Sequence, residues 1–237
     1  MLKIKNLTKS YKGGVKAVDN LSLEVRDGDI FGFIGHNGAG KTTTIKAVVG
    51  ILDFDQGEIY INGTSVKADP LLTKQETAFI PDNPDLYEFL SGIQYLNFIG
   101  DVYGVEKSTR EQLISRYAGA FELVKNLGDP ISSYSHGMKQ KLAVISALIH
   151  SPKLLVLDEP FVGLDPKAAH TLKGFMRELC DSGSAIFFST HVLEVAEKLC
   201  DKIAIIKRGR LVKSGTMEEV KGDDSLEEVF LELTDHE

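Results

Sequence analysis

The chain has 237 residues, 43% of them hydrophobic and 26% charged, with a formal net charge of −7. That is enough material for one substantial core in a soluble globular protein, and the acidic balance argues against nucleic acid as the main partner. No stretch reaches the roughly 18 consecutive apolar residues of a membrane span, and Met1-Leu2-Lys3-Ile4-Lys5 reads as a strand rather than a signal peptide, so a cytoplasmic protein is expected.

Leu2, Ile4 and Leu7 predict a first strand, and Leu21-Ser22-Leu23-Glu24-Val25 alternates as a second. Between them stands Tyr11, which reads equally as a half-exposed tyrosine at a strand end or as a ring that stacks on a base near a nucleotide. Asp29 to Ile34 is a short buried strand, followed by Gly35-His36-Asn37-Gly38-Ala39-Gly40-Lys41-Thr42 and a helix over residues 42–49. The eight-residue run fits the phosphate-loop pattern G-x-x-x-x-G-K-[ST] at every fixed position, in the strand-loop-helix context the motif requires. Its glycines let successive amides, through Thr43, turn toward one anion at a helix N-terminus. Lys41 then reaches the β- and γ-phosphates, and the Thr42 hydroxyl can ligate Mg²⁺.

Gly57 to Gly63 alternates as a further strand, which completes a β-rich layer beside the nucleotide strand. From about Pro81 to His150 the pattern turns helical. Ser108 with Glu111 fits a capping box, and Leu113, Ile114, Tyr117, Phe121 and Val124 supply an apolar stripe. Tyr87, Phe89, Tyr95, Phe98 and Tyr103 crowd the start of this region and read mostly as core, with a groove for a partner helix as the other reading. The last third returns to α/β order: strands at 154–157 and 184–189, helices at 168–180 and 192–200, then a hairpin around Lys207-Arg208-Gly209-Arg210. Thr216 with Glu219 and Ser225 with Glu228 fit capping boxes for two final helices, the last with Leu226, Val229, Phe230 and Leu233 on one face. Cys180 and Cys200 have no metal-type spacing and read as buried free thiols. Strands alternating with helices around a phosphate loop imply a mostly parallel sheet with its ligand at the C-terminal edge.

At that edge the apolar strand Leu154 to Leu157 ends in Asp158-Glu159. A carboxylate there, Asp158, can hold Mg²⁺ directly or through water, and Glu159 can orient and deprotonate an attacking water. Taken by itself, such a strand end is an ordinary polar turn; the phosphate loop is what gives it chemistry.

The ordered set Gly35 to Thr42, Tyr134-Ser135-His136-Gly137-Met138, Leu157-Asp158-Glu159-Pro160, Gly163-Leu164-Asp165 and His191 resembles the ATP-binding subunit of an ABC transporter, over nearly the whole chain. Within that family it is most similar to exporter-type systems for drugs, peptides or lipids. The resemblance implies an α/β fold: a phosphate-loop NTPase core with an antiparallel β subdomain from residues 1–81 and 151–215, a helical signature subdomain at 82–150, and C-terminal helices at 216–237, all in one L-shaped domain. It implies that Ser135 and the Gly137 amide face the γ-phosphate of ATP held by a second subunit. His191 then contacts the γ-phosphate and holds the water, Asp165 communicates across the dimer, and Tyr11 stacks on adenine. It further implies ATP hydrolysis, ATP and Mg²⁺ as ligands, and a homodimer or heterodimer of ATPase subunits. That dimer would sit on the inner face of the membrane on transmembrane permease subunits, coupled through the loop at residues 82–90.

The chain departs from the family at Tyr134, His136 and Met138 and, more consequentially, at Pro81-Asp82, where glutamine normally follows the proline. Ionised Asp82 cannot donate a hydrogen bond but can hold a metal-bound water; Asn83 could supply an amide instead. A soluble ATP-gated interaction module is the alternative reading. A small-molecule kinase fits the phosphate loop but gives no reason for the signature helix.

Overall fold

The computed structural model describes residues 1–235. Its strands form two sheets. The first contains β1 (Leu2–Ser10), β2 (Lys16–Val25), β4 (Gln56–Ile61) and β5 (Thr64–Ser65), antiparallel in the order β2-β1-β4-β5. The second has six strands in the order β10-β9-β3-β8-β7-β6, built from β3 (Ile30–Ile34), β6 (Thr77–Ile80), β7 (Leu154–Asp158), β8 (Ala185–Thr190), β9 (Lys202–Lys207) and β10 (Arg210–Thr216). Its members run parallel except for β10, which returns beside β9 as the expected hairpin.

The central strands are buried on both faces, and their period of two divides the core. Ile30, Ile34, Leu155, Leu157, Ile186 and Phe188 join one apolar cluster, shared with the helices. Phe31, Phe33, Leu154, Val156, Ala185 and Phe187 point the other way, into a second cluster shared with the antiparallel sheet. This explains why β3, β7 and β8 read as continuous apolar runs while β4 alternates: Ile59 and Ile61 are buried, and Glu58 and Tyr60 are not.

Nine helices lie among the described residues: α1 (Lys41–Val48), α2 (Pro70–Gln75), α3 (Gly92–Val102), α4 (Lys107–Ala120), α5 (His136–Leu148), α6 (Pro166–Asp181), α7 (Leu193–Leu199), α8 (Met217–Lys221) and α9 (Leu226–Asp235). The capping boxes at Thr216 and Ser225 form as expected, and both cysteines are buried free thiols. Of the expected C-terminal segment, residues 236 and 237 lie outside the described residues.

Three expectations are corrected. The box at Ser108 and Glu111 does not form, because α4 starts two residues earlier, at Lys107, and the Glu106 carboxylate takes both the Ser108 and Thr109 amides. Val124 leaves the α4 stripe: it falls past the helix end, in a 3₁₀ turn, and is exposed. Tyr87, Phe89 and Phe98 are surface residues rather than core, with Phe89 83% exposed. They form an aromatic surface around Tyr87, whose ring centroid lies 5.9 Å from Phe89 and 5.6 Å from Phe98. The pair α2 and β6 was not foreseen. Six- and four-residue elements are too short for periodicity to register, although Asp69, which caps α2 before Pro70, is a start signal.

Candidate functional site

The loop between β3 and α1 is fixed by close backbone approach. A Cβ on Gly35 would lie 2.6 Å from the Ile206 carbonyl, and one on Gly40 would lie 2.3 Å from the Ala17 carbonyl. Gly40 also sits at φ +108°, a left-handed conformation open in practice to glycine alone. Ala39, buried beneath the loop, accepts a hydrogen bond from the Gly209 amide at 2.8 Å, so the hairpin turn clamps the loop from outside. Helix α1 has no side-chain cap. Its leading amides are therefore available to an anion.

Lys41 is only 6% exposed, and its Nζ donates to the carbonyls of Gly35 at 2.6 Å and His36 at 3.3 Å. It also lies 3.6 Å from Glu159 Oε1. β7 delivers Asp158 to the sheet edge almost fully buried, where its carboxylate accepts the Ser189 hydroxyl of neighbouring β8. The chain then turns sharply: Glu159 has φ +48°, held by its amide donating to the Ser189 carbonyl and hydroxyl, both at 3.2 Å. A non-glycine residue in this region stores roughly 1–3 kcal/mol of strain. Here the turn accompanies a Glu159 carboxylate set beside Lys41, and 2.9 Å from His191 Nδ1. Glu159 Oε1 is buried and makes no well-aligned hydrogen bond to any described residue.

One pocket gathers Tyr11, Asn37, Gly38, Gly40, Lys41, Thr42, Thr43, Asp82, Asp158 and Glu159, together with Ala17 and His36, which sequence reasoning had not singled out. Tyr11 is half-exposed beside the loop, its hydroxyl 3.4 Å from Thr43 Oγ1. Asp82 lines the pocket and Asn83 does not; the Asp82 carboxylate accepts the Asn83 amide at 2.9 Å. His191 reaches the group through Glu159, and Gly35 supports it from below. The available donors, the Thr42 hydroxyl and the Asp158 and Asp82 carboxylates, are hard oxygens of the kind that suit Mg²⁺. No three His, Cys, Asp or Glu side chains cluster as a metal cage among the described residues.

Ser135 and Gly137 do not line this pocket. Ser135 caps α5, accepting the Met138 amide at 3.3 Å. The α5 start packs on the loop at 161–165: a Cβ on Gly137 would lie 3.0 Å from the Gly163 carbonyl, and the His136 ring covers Gly163. Lys141 and Asp165 are 2.7 Å apart, and that ammonium holds the Asp165 carboxyl below the usual carboxylate range. The signature helix and the loop expected to cross the dimer are thus tied together within one chain. His136 was the signal for this tie, visible in the sequence only as a departure from the family pattern.

A family model described as ABC transporter matches residues 18–162. The ABC-type transporter ATP-binding protein EcsA of Bacillus subtilis is 35% identical over 239 residues, covering 99% of this chain and 96% of its own length. The linearmycin resistance ATP-binding protein LnrL of the same organism is 34% identical, covering 91% of this chain and 69% of its own. A solved ATP-binding subunit of an ABC transporter superposes with a TM-score of 0.95 at 34% identity, over 98% of this chain and 99% of that one. A dimeric cassette in a post-hydrolysis state with ADP and Pi shares the fold, with a TM-score of 0.83 at 23% identity, over 92% of this chain and 99% of that one.

Proposed function

The chain belongs to the ABC transporter ATP-binding family, and from that premise we propose that it energises a transporter by hydrolysing ATP between two copies of itself. The observation that carries the reading is the single wall on which Lys41, Thr42, Asp158 and Glu159 converge beside the uncapped start of α1.

In this reading the α1 amides and the Lys41 ammonium take the phosphates, and Tyr11 stacks on adenine. Thr42, Asp158 and Asp82 are the residues that would hold Mg²⁺, which when bound draws charge from the phosphate oxygens. Glu159 accepts the proton of the attacking water, and His191, 2.9 Å away, orients that water and the carboxylate. Ser135 and Gly137 of the second copy complete the site. The chain carries Glu159, His191 and Ser135 together, so two copies supply two full sets.

The relative LnrL is named for resistance to linearmycin. By that analogy this chain serves an exporter of a drug, peptide or lipid, from the cytoplasmic face of the membrane. No helix among the described residues is long and apolar enough to cross a membrane, so the pore belongs to a permease partner in this reading. The exposed and mutually packed Tyr87, Phe89 and Phe98, within the helical region at residues 82–150, are where that partner would dock. Tagging the chain in its native cell and purifying it in mild detergent should bring down a polytopic membrane protein. Recovery of a soluble assembly in its place would overturn the transporter assignment while leaving the ATPase chemistry.

A further inference from the structure

The reading above gives His36 no task, although its residue type is not required by the phosphate-loop pattern and it lines the nucleotide pocket. We propose that His36 is a positioning residue through which α9 sets the conformation of the phosphate loop. Its ring centroid lies 4.8 Å from that of Phe230, with the planes tilted by 58°, and its Nε2 lies 3.4 Å from Thr234 Oγ1. Both partners are on α9, one turn apart.

The two ends of this contact differ in firmness. Phe230 is buried in the same apolar cluster as Ala196 and Leu199 of α7, and Thr234 is tied to it by donating its hydroxyl to the Phe230 carbonyl at 2.6 Å. The loop is held at its two ends by the close approach of Gly35 and Gly40, but its middle is open: Gly38 stands at φ +81° with nothing within 4 Å of where its Cβ would be. An anchored side chain limits the conformations open to such a backbone far more than the glycines do. The His36 carbonyl, in turn, accepts a hydrogen bond from Lys41 Nζ at 3.3 Å. One residue therefore joins α9 on its side-chain side to the phosphate-binding ammonium on its backbone side.

The inference rests on the ATP-binding reading of the pocket and adds a consequence to it. Coupling between two sites is reciprocal, so if α9 orders the loop for nucleotide, nucleotide in the loop must order α9. Hydrogen exchange followed by mass spectrometry, on the full chain with and without saturating ATP, measures this directly, alongside ATP affinity by calorimetry. In the unmodified protein ATP should slow exchange across residues 227–234. His36→Ala should abolish that slowing and weaken ATP binding about fivefold or more, the low end of what losing one aromatic pair and one hydrogen bond implies. His36→Phe, which keeps a ring against Phe230, should restore most of both, which separates the effect from simple damage to the loop. If α9 ignores ATP in the unmodified protein, or His36→Ala binds ATP as tightly as the unmodified chain, the proposal is wrong while the site reading stands. If the unmodified chain binds no ATP at all, the site reading falls and the brace with it.

Discussion

Helix α1 opens from Gly40 with no side chain on its first amides, whereas α5 opens from Ser135, whose hydroxyl takes the Met138 amide. Around α1 the phosphate-binding groups and the carboxylates that face them all come from this chain: left-handed glycine, buried ammonium, Asp158 at the end of β7 and Glu159 just past it. Around α5 there is a capped, exposed helix start braced from behind by Gly163 and the Lys141–Asp165 pair. A helix N-terminus becomes a phosphate site when its amides are left free and its approach is fixed. One that is already capped is a surface prepared for something brought to it, which in our reading is the nucleotide of a second chain.

The largest expected effect lies on the α1 side. Glu159→Gln keeps the shape and the left-handed turn but removes the proton acceptor, so turnover should fall by about 10²-fold or more while ATP still binds. Phosphate release and calorimetry on the same preparation check this, and near-normal turnover would remove Glu159 from the base role. Next come two glycine substitutions that set the regions against each other. Gly40→Ala forces a Cβ into the Ala17 carbonyl at a φ alanine rarely adopts, and should cost about 3 kcal/mol of stability by urea melts. Gly137→Ala should stay within about 1 kcal/mol, because its one close contact is 3.0 Å and alanine gains helix propensity. Equal costs would break the contrast between a fixed loop and an accessible one.

A pH effect comes from the far end of α5. His150 follows that helix and stacks on Tyr103 with ring centroids 3.7 Å apart, and burial holds its pKa down to about 4. The unfolded chain takes up this proton near pH 6.5 and the folded one only near pH 4. Stability contributed by neutral His150 is therefore complete above 6.5 and is lost as pH falls through that window, by up to about 3 kcal/mol. Melts from pH 7 to 4.5 should show the decline in the unmodified protein and less of it in His150→Phe, which keeps the stack.

Much of this was legible in the sequence because the chemistry there is backbone chemistry. Glycine at 35 and 40 and lysine at 41 leave little choice of conformation, and an apolar strand ending in Asp158-Glu159 can only deliver them to the sheet edge. The antiparallel layer and the final capping boxes read correctly for the same local reason. What failed depended on contacts distant in sequence or on small local competition. Glu106 outcompeted Ser108 for the cap of α4, a difference of two residues. The aromatic rings at 87, 89 and 98 look like core by type, and only their outward placement, on the loop before α3 and on α3 itself, marks a surface. The contact between His36 and α9 joins residues about 200 positions apart, and no pattern in either segment announces it.

The central claim is that the phosphate loop of one chain and the signature loop of another make one working site. It is tested most directly by mixing Lys41→Ala chains, which keep Ser135 and Gly137, with Ser135→Arg chains, which keep the phosphate loop, and measuring phosphate release. The account predicts that each variant alone is nearly inactive and that the mixture recovers turnover, since one of its sites combines an intact loop of each kind. Full activity in Ser135→Arg alone, or a mixture as silent as its components, would contradict it.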